Sequence, residues 1–349
     1  GSEMCIRDSD RIMKNMRKIL CFGALSLLLG GCGAPDKQIT SSGGLYEIFV
    51  VCPKEKWDGR LGDTIRSILQ EPVPMINQLE PIYDLFYVPN YTGLVMRHRN
   101  LLTIKTGSDY AEPSMTASYD VDAAPQIIVS VTGPSDSAVV AYMSGHRYEL
   151  QTIFELAERE RAIAQGKKHC ERELVELIRR KFDMQMQVPT GYKLRQESPD
   201  FLWISYELPL ASQGFFIYSY PYTGKADFTV GALLTRRNEF AARIPGPSDS
   251  SYMATYPDAL PDLKHVRIDG RYWAEMRGFW EVHGDFMGGP FISYSTLNLT
   301  TNRVTTIDMY VYSPKKPKRN YLRQLENLIY TVSFPDDEAK VKQQAETGK

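Results

Sequence analysis

The densest collection of groups able to move protons lies late in the chain. From residue 271 to residue 286 polar and apolar side chains alternate. Tyr272, Ala274, Met276, Trp280, Val282 and Phe286 fall on one face of an extended strand, and Arg271, Trp273, Glu275, Arg277, Phe279, Glu281, His283 and Asp285 on the other. Alternate residues of a strand share a face about 7 Å apart, so Glu275, Glu281, His283 and Asp285 could converge as a carboxylate–imidazole set. Such a set does general acid–base work, the chemistry of a hydrolase acting on a polymer, once burial shifts its pKa values. The same residues fit a structural reading in which Glu275 and Arg277 pair on a sheet face.

Two further groups could bind. Arg97 and Arg99 flank His98 just before the apolar run Leu101-Leu102-Thr103-Ile104. Alternation puts both guanidinium groups on one face, where they would clamp a small anion or carboxylate in forked hydrogen bonds or pair with nearby acids at a strand end. Tyr218, Tyr220 and Tyr222 line one strand face after Phe216. Exposed, they would stack on sugar rings or lipid; covered, they are cross-strand packing. Other chemistries find no support. The five histidines, His98, His146, His169, His265 and His283, form no pair at helical ligand spacing, and no cysteine pair has zinc spacing. Neither a Gly-x-Ser-x-Gly elbow nor a persuasive Ser-x-x-Lys occurs, and Gly59-Arg60-Leu61-Gly62 is a poor relation of a phosphate loop. No metal and no cofactor is expected.

The N-terminal region bears on compartment. Residues 13–18 are basic, residues 19–29 are apolar, and Leu29-Gly30-Gly31-Cys32 follows. The apolar run is too short to span about 30 Å of hydrocarbon and has the length of a signal-peptide core. Leu, two small residues and Cys form the lipobox pattern. Residues 1–12 are thus expected to be a non-native or mis-extended leader, 13–31 a lipoprotein signal peptide, and 32–44 a tether lipidated at Cys32. More than one acyl chain would hold Cys32 stably on a membrane. Gly33, rather than an Asp, follows Cys32, which favours the outer membrane facing the periplasm.

Lys+Arg total 41 and Asp+Glu 42, so the near-zero net charge gives no reason to expect a nucleic-acid partner. Besides the membrane, the partner expected is an envelope protein or glycan. Of five cysteines, only Cys52 and Cys170 fall in the folded body, where an oxidising compartment permits but does not require a bridge.

The expected fold is α+β, with antiparallel sheets packed against amphipathic helices in two domains, 45–185 and 186–335, and a disordered tail over 336–349. Strands are expected at 45–52, 83–88, 94–104 and 126–132. Leu61, Ile65, Ile68 and Leu69 mark a helix, and a long helical region runs over 138–182 with a break near Gly166. In the second half, strands are expected at 201–208 and 215–222, with 228–234 continuing the latter. Strands 271–286, 291–299 and 304–312 have short connections that make them an antiparallel meander. Leu322, Leu325, Leu328 and Ile329 mark a helix packed on it. Gly-Pro-Ser-Asp-Ser occurs at 133–137 and 246–250, as an internal duplication or, the reading favoured, as a helix start in both places.

Several segments resemble an uncharacterised lipoprotein family of the Bacteroides group, the domain of unknown function 4837. They are residues 51–64, 73–78, 97–100, 277–291 and 318–326, of which Gly284-Asp285-Phe286-Met287-Gly288-Gly289-Pro290 is the most specific. The resemblance implies a lipid-anchored envelope protein and brings no activity, cofactor or catalytic residue with it. The second half also looks like the sheet-and-helix sandwich of photosystem oxygen-evolving-subunit proteins, a fold analogy that licenses no function.

Overall fold

The structure is a computed structural model that describes residues 39–335. The segments expected to be a leader (1–12), a signal peptide (13–31), the start of a tether with Cys32, and a tail from 336 lie outside the described residues. The described chain forms two compact units, one of residues 39–71 and 81–158, the other of residues 72–80 and 159–335.

The first unit is a five-stranded sheet with helices on one face. Its strands are β1 (Glu47–Val51), β2 (Asp84–Val88), β3 (Asn100–Thr106), β4 (Ser114–Tyr119) and β5 (Ile127–Gly133), in the order β2-β1-β3-β5-β4. The helices are α1 (Arg60–Leu69), α2 (Asp136–Gly145) and the first half of α3 (Arg147–Lys168). Period-two alternation decides which side chains meet the helices. Ile48, Val50, Leu102, Ile104, Val129 and Val131 pack against Leu61, Ile65, Val139, Met143 and Phe154. The intervening residues Val51, Leu101 and Ile128 form a smaller cluster, against which, among the described residues, the partly buried Phe49, Val88, Tyr91 and Val95 pack. This sheet departs from the antiparallel expectation, because β1 pairs with β2 and β3, and β3 with β5, all in parallel. Only β4 runs antiparallel, against β5. Parallel neighbours need long crossovers, and between β1 and β2 the crossover contains α1.

The second unit is an antiparallel sheet that curls into a half-barrel. Its strands are β6 (Lys193–Ser198), β7 (Phe201–Leu208), β8 (Ala211–Pro221), β9 (Tyr252–Thr255), β10 (Asp262–Ile268), β11 (Arg271–His283), β12 (Gly288–Asn298) and β13 (Arg303–Tyr312). The order is β10-β11-β12-β13-β8-β7-β6, with β9 beside β11. Both faces are covered. On one face α4 (Arg172–Phe182) and the C-terminal α6 (Arg319–Glu326) bring Leu177, Ile178, Leu322 and Leu325 onto Ile204, Phe215, Ile292 and Met309. On the other, α5 (Val230–Ala241) brings Leu233 and Phe240 onto Phe216, Tyr218, Met276 and Trp280. The expected meander and its covering C-terminal helix are both present.

Several boundaries differ from expectation, each for a local reason. Residues 159–185 belong to the second unit, because Leu177, Ile178 and Phe182 are buried in its core. Residues 228–234 are not strand: Thr229 caps α5 by accepting from Ala232 N at 3.4 Å, and Leu233, Phe240 and Ala241 repeat at helical spacing. Residues 93–97 form a 3₁₀ turn ahead of β3. The long helical region breaks at His146 and at 169–171, while Gly166 stays inside α3. Ser135 caps α2, but the second Gly-Pro-Ser-Asp-Ser leads into β9 and opens no helix. Cys52 and Cys170 are free thiols.

The excursion 72–80 joins the second unit for an electrostatic reason. Lys318 caps α6 without a side-chain hydrogen bond. Glu80 supplies it instead, its carboxylate accepting from Lys318 N at 2.8 Å and Arg319 N at 2.9 Å. A carboxylate at a helix N-terminus satisfies backbone donors and complements the helix dipole.

Candidate functional site

The face of the first sheet turned away from its helices is graded. One cross-strand row reads Val88, Val51, Thr103, Ser130, Thr116 and the next Phe86, Phe49, Leu101, Ile128, Ser118, from β2 to β4. A third row adds Lys105, Thr132 and Ser114. The β2–β1 side is therefore apolar and the β3–β5–β4 side carries hydroxyls. Thr103 Oγ1 donates to Ser130 Oγ at 2.8 Å, and Ser114 and Thr132 share a hydrogen bond of 2.9 Å.

An open groove of about 460 Å³ lies on this face, lined by Val51, Thr103, Ser130, Ser118 and Lys105, with Asn90, Tyr91 and Val121 contributed by the loops after β2 and β4. That volume lies within the usual range for small-ligand sites. The Tyr91 hydroxyl donates to Asp122, and burial together with that carboxylate raises its pKa well above the ordinary phenol value, so the ring is fixed as a wall. Among the described residues, Lys105 is the single charged residue in the lining, and neither a carboxylate nor an imidazole joins it. The buried Cys52 also belongs to the lining, and burial raises its thiol to about 11, which keeps it protonated and unreactive. The groove offers hydroxyl and amide hydrogen bonds beside apolar walls, and no acid–base pair.

The charged face of β11 does not converge. Arg277 Nε donates to Glu275 Oε1 at 2.5 Å, and its Nη2 reaches Glu326 of α6. The Tyr294 hydroxyl, on β12, lies 3.1 Å from Glu275 Oε2 and 3.2 Å from Glu326 Oε1. Burial pushes the Glu326 carboxyl up, but Arg277 and Arg323 outweigh it and hold the pKa below the ordinary value. Glu275 is thus part of an ionic knot that ties helix to sheet. His283 sits eight residues further along, about 26 Å at strand rise, exposed beside the Tyr252 ring. Glu281 is half-buried on the same strand, and Asp285 is exposed in the turn beyond, its Oδ1 accepting from Phe286 N at 2.5 Å.

The other sequence candidates also resolve into structure. Arg97 ends the 3₁₀ turn. Arg99 pairs with Glu158 at 2.9 Å, and Asn100 Nδ2 donates to the same carboxylate at 2.7 Å. The two arginines form no clamp. His98 between them is buried and stacks on Phe49 at 3.8 Å, and burial lowers its pKa. Tyr218 and Tyr220 lie in the core under α5, with the Phe240 ring 4.3 Å from Tyr218, and Tyr222 is half-buried against Phe228. No sugar could reach the Tyr218 or Tyr220 ring.

Sequence reasoning missed two features. The groove was readable as alternation, with Thr103 and Lys105, Ser114, Thr116 and Ser118, and Ser130 and Thr132 at period two, but nothing in the sequence shows which sheet face stays uncovered. The second is a buried ion pair. Arg237 of α5 holds Asp308 of β13 through bonds of 2.8 and 3.2 Å, donates to Thr255 at 2.7 Å and stacks over the Phe291 ring at 3.6 Å. Burial pushes Asp308 up to about 6 against the pull of Arg237. Among the described residues no cluster of three or more His, Cys, Asp or Glu is placed to hold a metal.

Residues 171–331, which take in the whole antiparallel sheet, match the family model described as domain of unknown function (DUF4837). Over that stretch the chain is similar to the DUF4837 proteins. The segments at 51–64, 73–78 and 97–100 fall outside the DUF4837 match and within a second one, residues 41–167, also described as domain of unknown function (DUF8532). No curated protein matches. Two solved structures align over part of the chain. One, from Bacteroides thetaiotaomicron VPI-5482, shows 12% identity and a TM-score of 0.24, covering 43% of this chain and 44% of its own. This chain therefore spans less than half of that protein's length. The other is LpqN, described as involved in cell envelope biogenesis of Mycobacterium tuberculosis, with 14% identity and a TM-score of 0.25, covering 43% of this chain and 83% of its own. Superpositions at that level carry no argument about this chain. Among the described residues no helix is long and apolar enough to cross a membrane.

Proposed function

We propose that this chain is a lipid-anchored cell-envelope protein that binds a small ligand without transforming it, and that the groove on the open face of the first sheet is its binding site. The anchor rests on the sequence alone: the basic segment, the short apolar run and Leu29-Gly30-Gly31-Cys32. Gly33 after Cys32, where retention at the inner membrane would call for Asp, supports the outer membrane, facing the periplasm, as its location. Labelled palmitate incorporated by the parent and lost in Cys32→Ala is the expected result for the anchor.

The composition of the groove carries the binding reading: hydroxyls of Thr103, Ser118 and Ser130, the Asn90 amide, the Lys105 ammonium and apolar walls, with no carboxylate or imidazole beside Lys105 to make an acid–base pair. A polyhydroxylated envelope fragment such as a glycan suits that lining, because neighbouring hydroxyls both donate and accept hydrogen bonds. Hydrolysis loses its support, since Glu275 is committed to the knot with Arg277 and Glu326, away from His283 and Asp285. The test is titration of the purified protein with envelope-derived oligosaccharides, followed by ligand-observed NMR. Saturable binding with the oligosaccharide recovered intact, and lost in Ser130→Phe, is expected. Cleavage of the oligosaccharide, or binding unaffected by Ser130→Phe, overturns the proposal.

A further inference from the structure

The segment that stands out most in the sequence, Gly284 to Pro290, forms the tip of the β11–β12 hairpin and the first residues of β12. Packing accounts for nearly all of it. Gly284 adopts φ +86°, which a side chain resists. A Cβ on Gly289 would stand 2.1 Å from the Val311 carbonyl oxygen, so only glycine lets β12 and β13 approach there. Met287 packs on the core beneath α5, Pro290 is buried, and Asp285 bonds back to its own loop. Phe286 alone serves nothing in the fold. It is 107% exposed, the most exposed large apolar side chain among the described residues.

A second apolar tip lies at the same end of the sheet. Register carries the β11–β12 tip across β13, where Phe291 faces Tyr310, to β8, where Ser212 faces Tyr312, and on to the β7–β8 tip. Leu210 on that tip is 72% exposed. Between the tips, the loop leaving β13 presents Lys315 and Lys316, both exposed. The acids nearby are partly spoken for, since Glu207 accepts from Ser205 and Ser212, while Asp249 stays exposed. Two apolar projections with lysines between them suit a surface whose outer layer is phosphate and whose next layer is hydrocarbon.

We propose that this end of the second unit rests on a phospholipid bilayer, with Phe286 and Leu210 entering the headgroup–acyl boundary and Lys315 and Lys316 meeting lipid phosphates. The proposal rests on the Cys32 anchor, which keeps the protein at a membrane, but concerns a contact that the anchor does not itself make. Insertion of the tips, rather than net charge, drives it, so phosphatidylcholine vesicles suffice.

The test uses full-length lipidated protein reconstituted in phosphatidylcholine vesicles, with Phe286→Trp read as a difference from the parent and its four tryptophans. Leu260→Trp is the control, since Leu260 is 84% exposed but follows β9 rather than sitting at a tip. The expected result is blue-shifted emission at 286, quenched several-fold more by brominated acyl chains than emission at 260. Water-like emission at 286, equal quenching at both sites, or a blue shift without lipid quenching overturns the proposal. Palmitate labelling at Cys32, scored separately, distinguishes a failed anchor from a failed contact.

Discussion

The two sheets take the same alternation of side chains to opposite ends. In the second unit helices cover both faces, so charged residues on the strands must find partners inside: Arg237 with Asp308, and Arg277 with Glu275 and Glu326. In the first unit helices cover one face, and the other keeps hydroxyls and one lysine in an open groove. Strand chemistry alone does not make a site. What covers the strand decides whether a polar row becomes structural glue or a binding surface.

The largest effect expected from breaking this contrast is at Arg237. Arg237→Met leaves Asp308 buried without its cation and should cost about 3–5 kcal/mol in chemical denaturation of the second unit, while Arg237→Met with Asp308→Leu recovers most of the loss. Arg277→Met comes next, at about 2–3 kcal/mol, because the knot with Glu275 and Glu326 is less completely buried than the Arg237 pair. A denaturation midpoint unchanged in Arg277→Met would release the β11 carboxylates for a functional role.

A pH-dependent effect comes third and belongs to the first unit. Burial lowers the His98 pKa from its ordinary 6.5, so the folded state prefers neutral imidazole. The stabilisation is complete above the unfolded value and is lost as pH falls below about 6.5, because the unfolded chain then gains a proton that the folded chain refuses. The stability advantage of the parent over His98→Gln should shrink between about pH 7.5 and about pH 5. An advantage constant across that range would mean that His98 charges as readily folded as unfolded.

The smallest effect on stability is expected in the groove. Thr103→Val removes one partly buried hydroxyl pair and should change stability by no more than about 1 kcal/mol, yet it should weaken ligand binding measurably. Equal losses of stability and binding would make the Thr103–Ser130 pair part of the scaffold.

Much of the fold was legible because burial writes itself into periodicity. Leu61, Ile65, Ile68 and Leu69 announced α1, and the alternation around Trp280 announced β11. Two elements show how that signal can be hidden. β10 carries Asp262, Lys264, His265 and Arg267, which hide its period, although Asp269-Gly270 beyond it is a strong hairpin turn. In α5 the apolar start Val230-Gly231-Ala232-Leu233 looks like sheet until Thr229 is recognised as a cap. The candidate sites were less legible. Tyr218 and Tyr220 read alike as a sugar platform or as core, and only the arrival of α5 chooses between them. Glu275 and His283 share a strand face, but nothing in the sequence says that Glu326 comes to one end and leaves the other bare.

The most direct test sets the two regions against each other in one binding experiment. An envelope-derived oligosaccharide that binds the parent is titrated against Ser130→Phe, on the open face, and against Glu281→Gln with His283→Ala, at the exposed end of β11. Binding abolished in the first variant and retained in the second, with the oligosaccharide intact throughout, is the predicted result. Binding that survives Ser130→Phe but fails in the β11 variant would contradict it and return the function to the second unit.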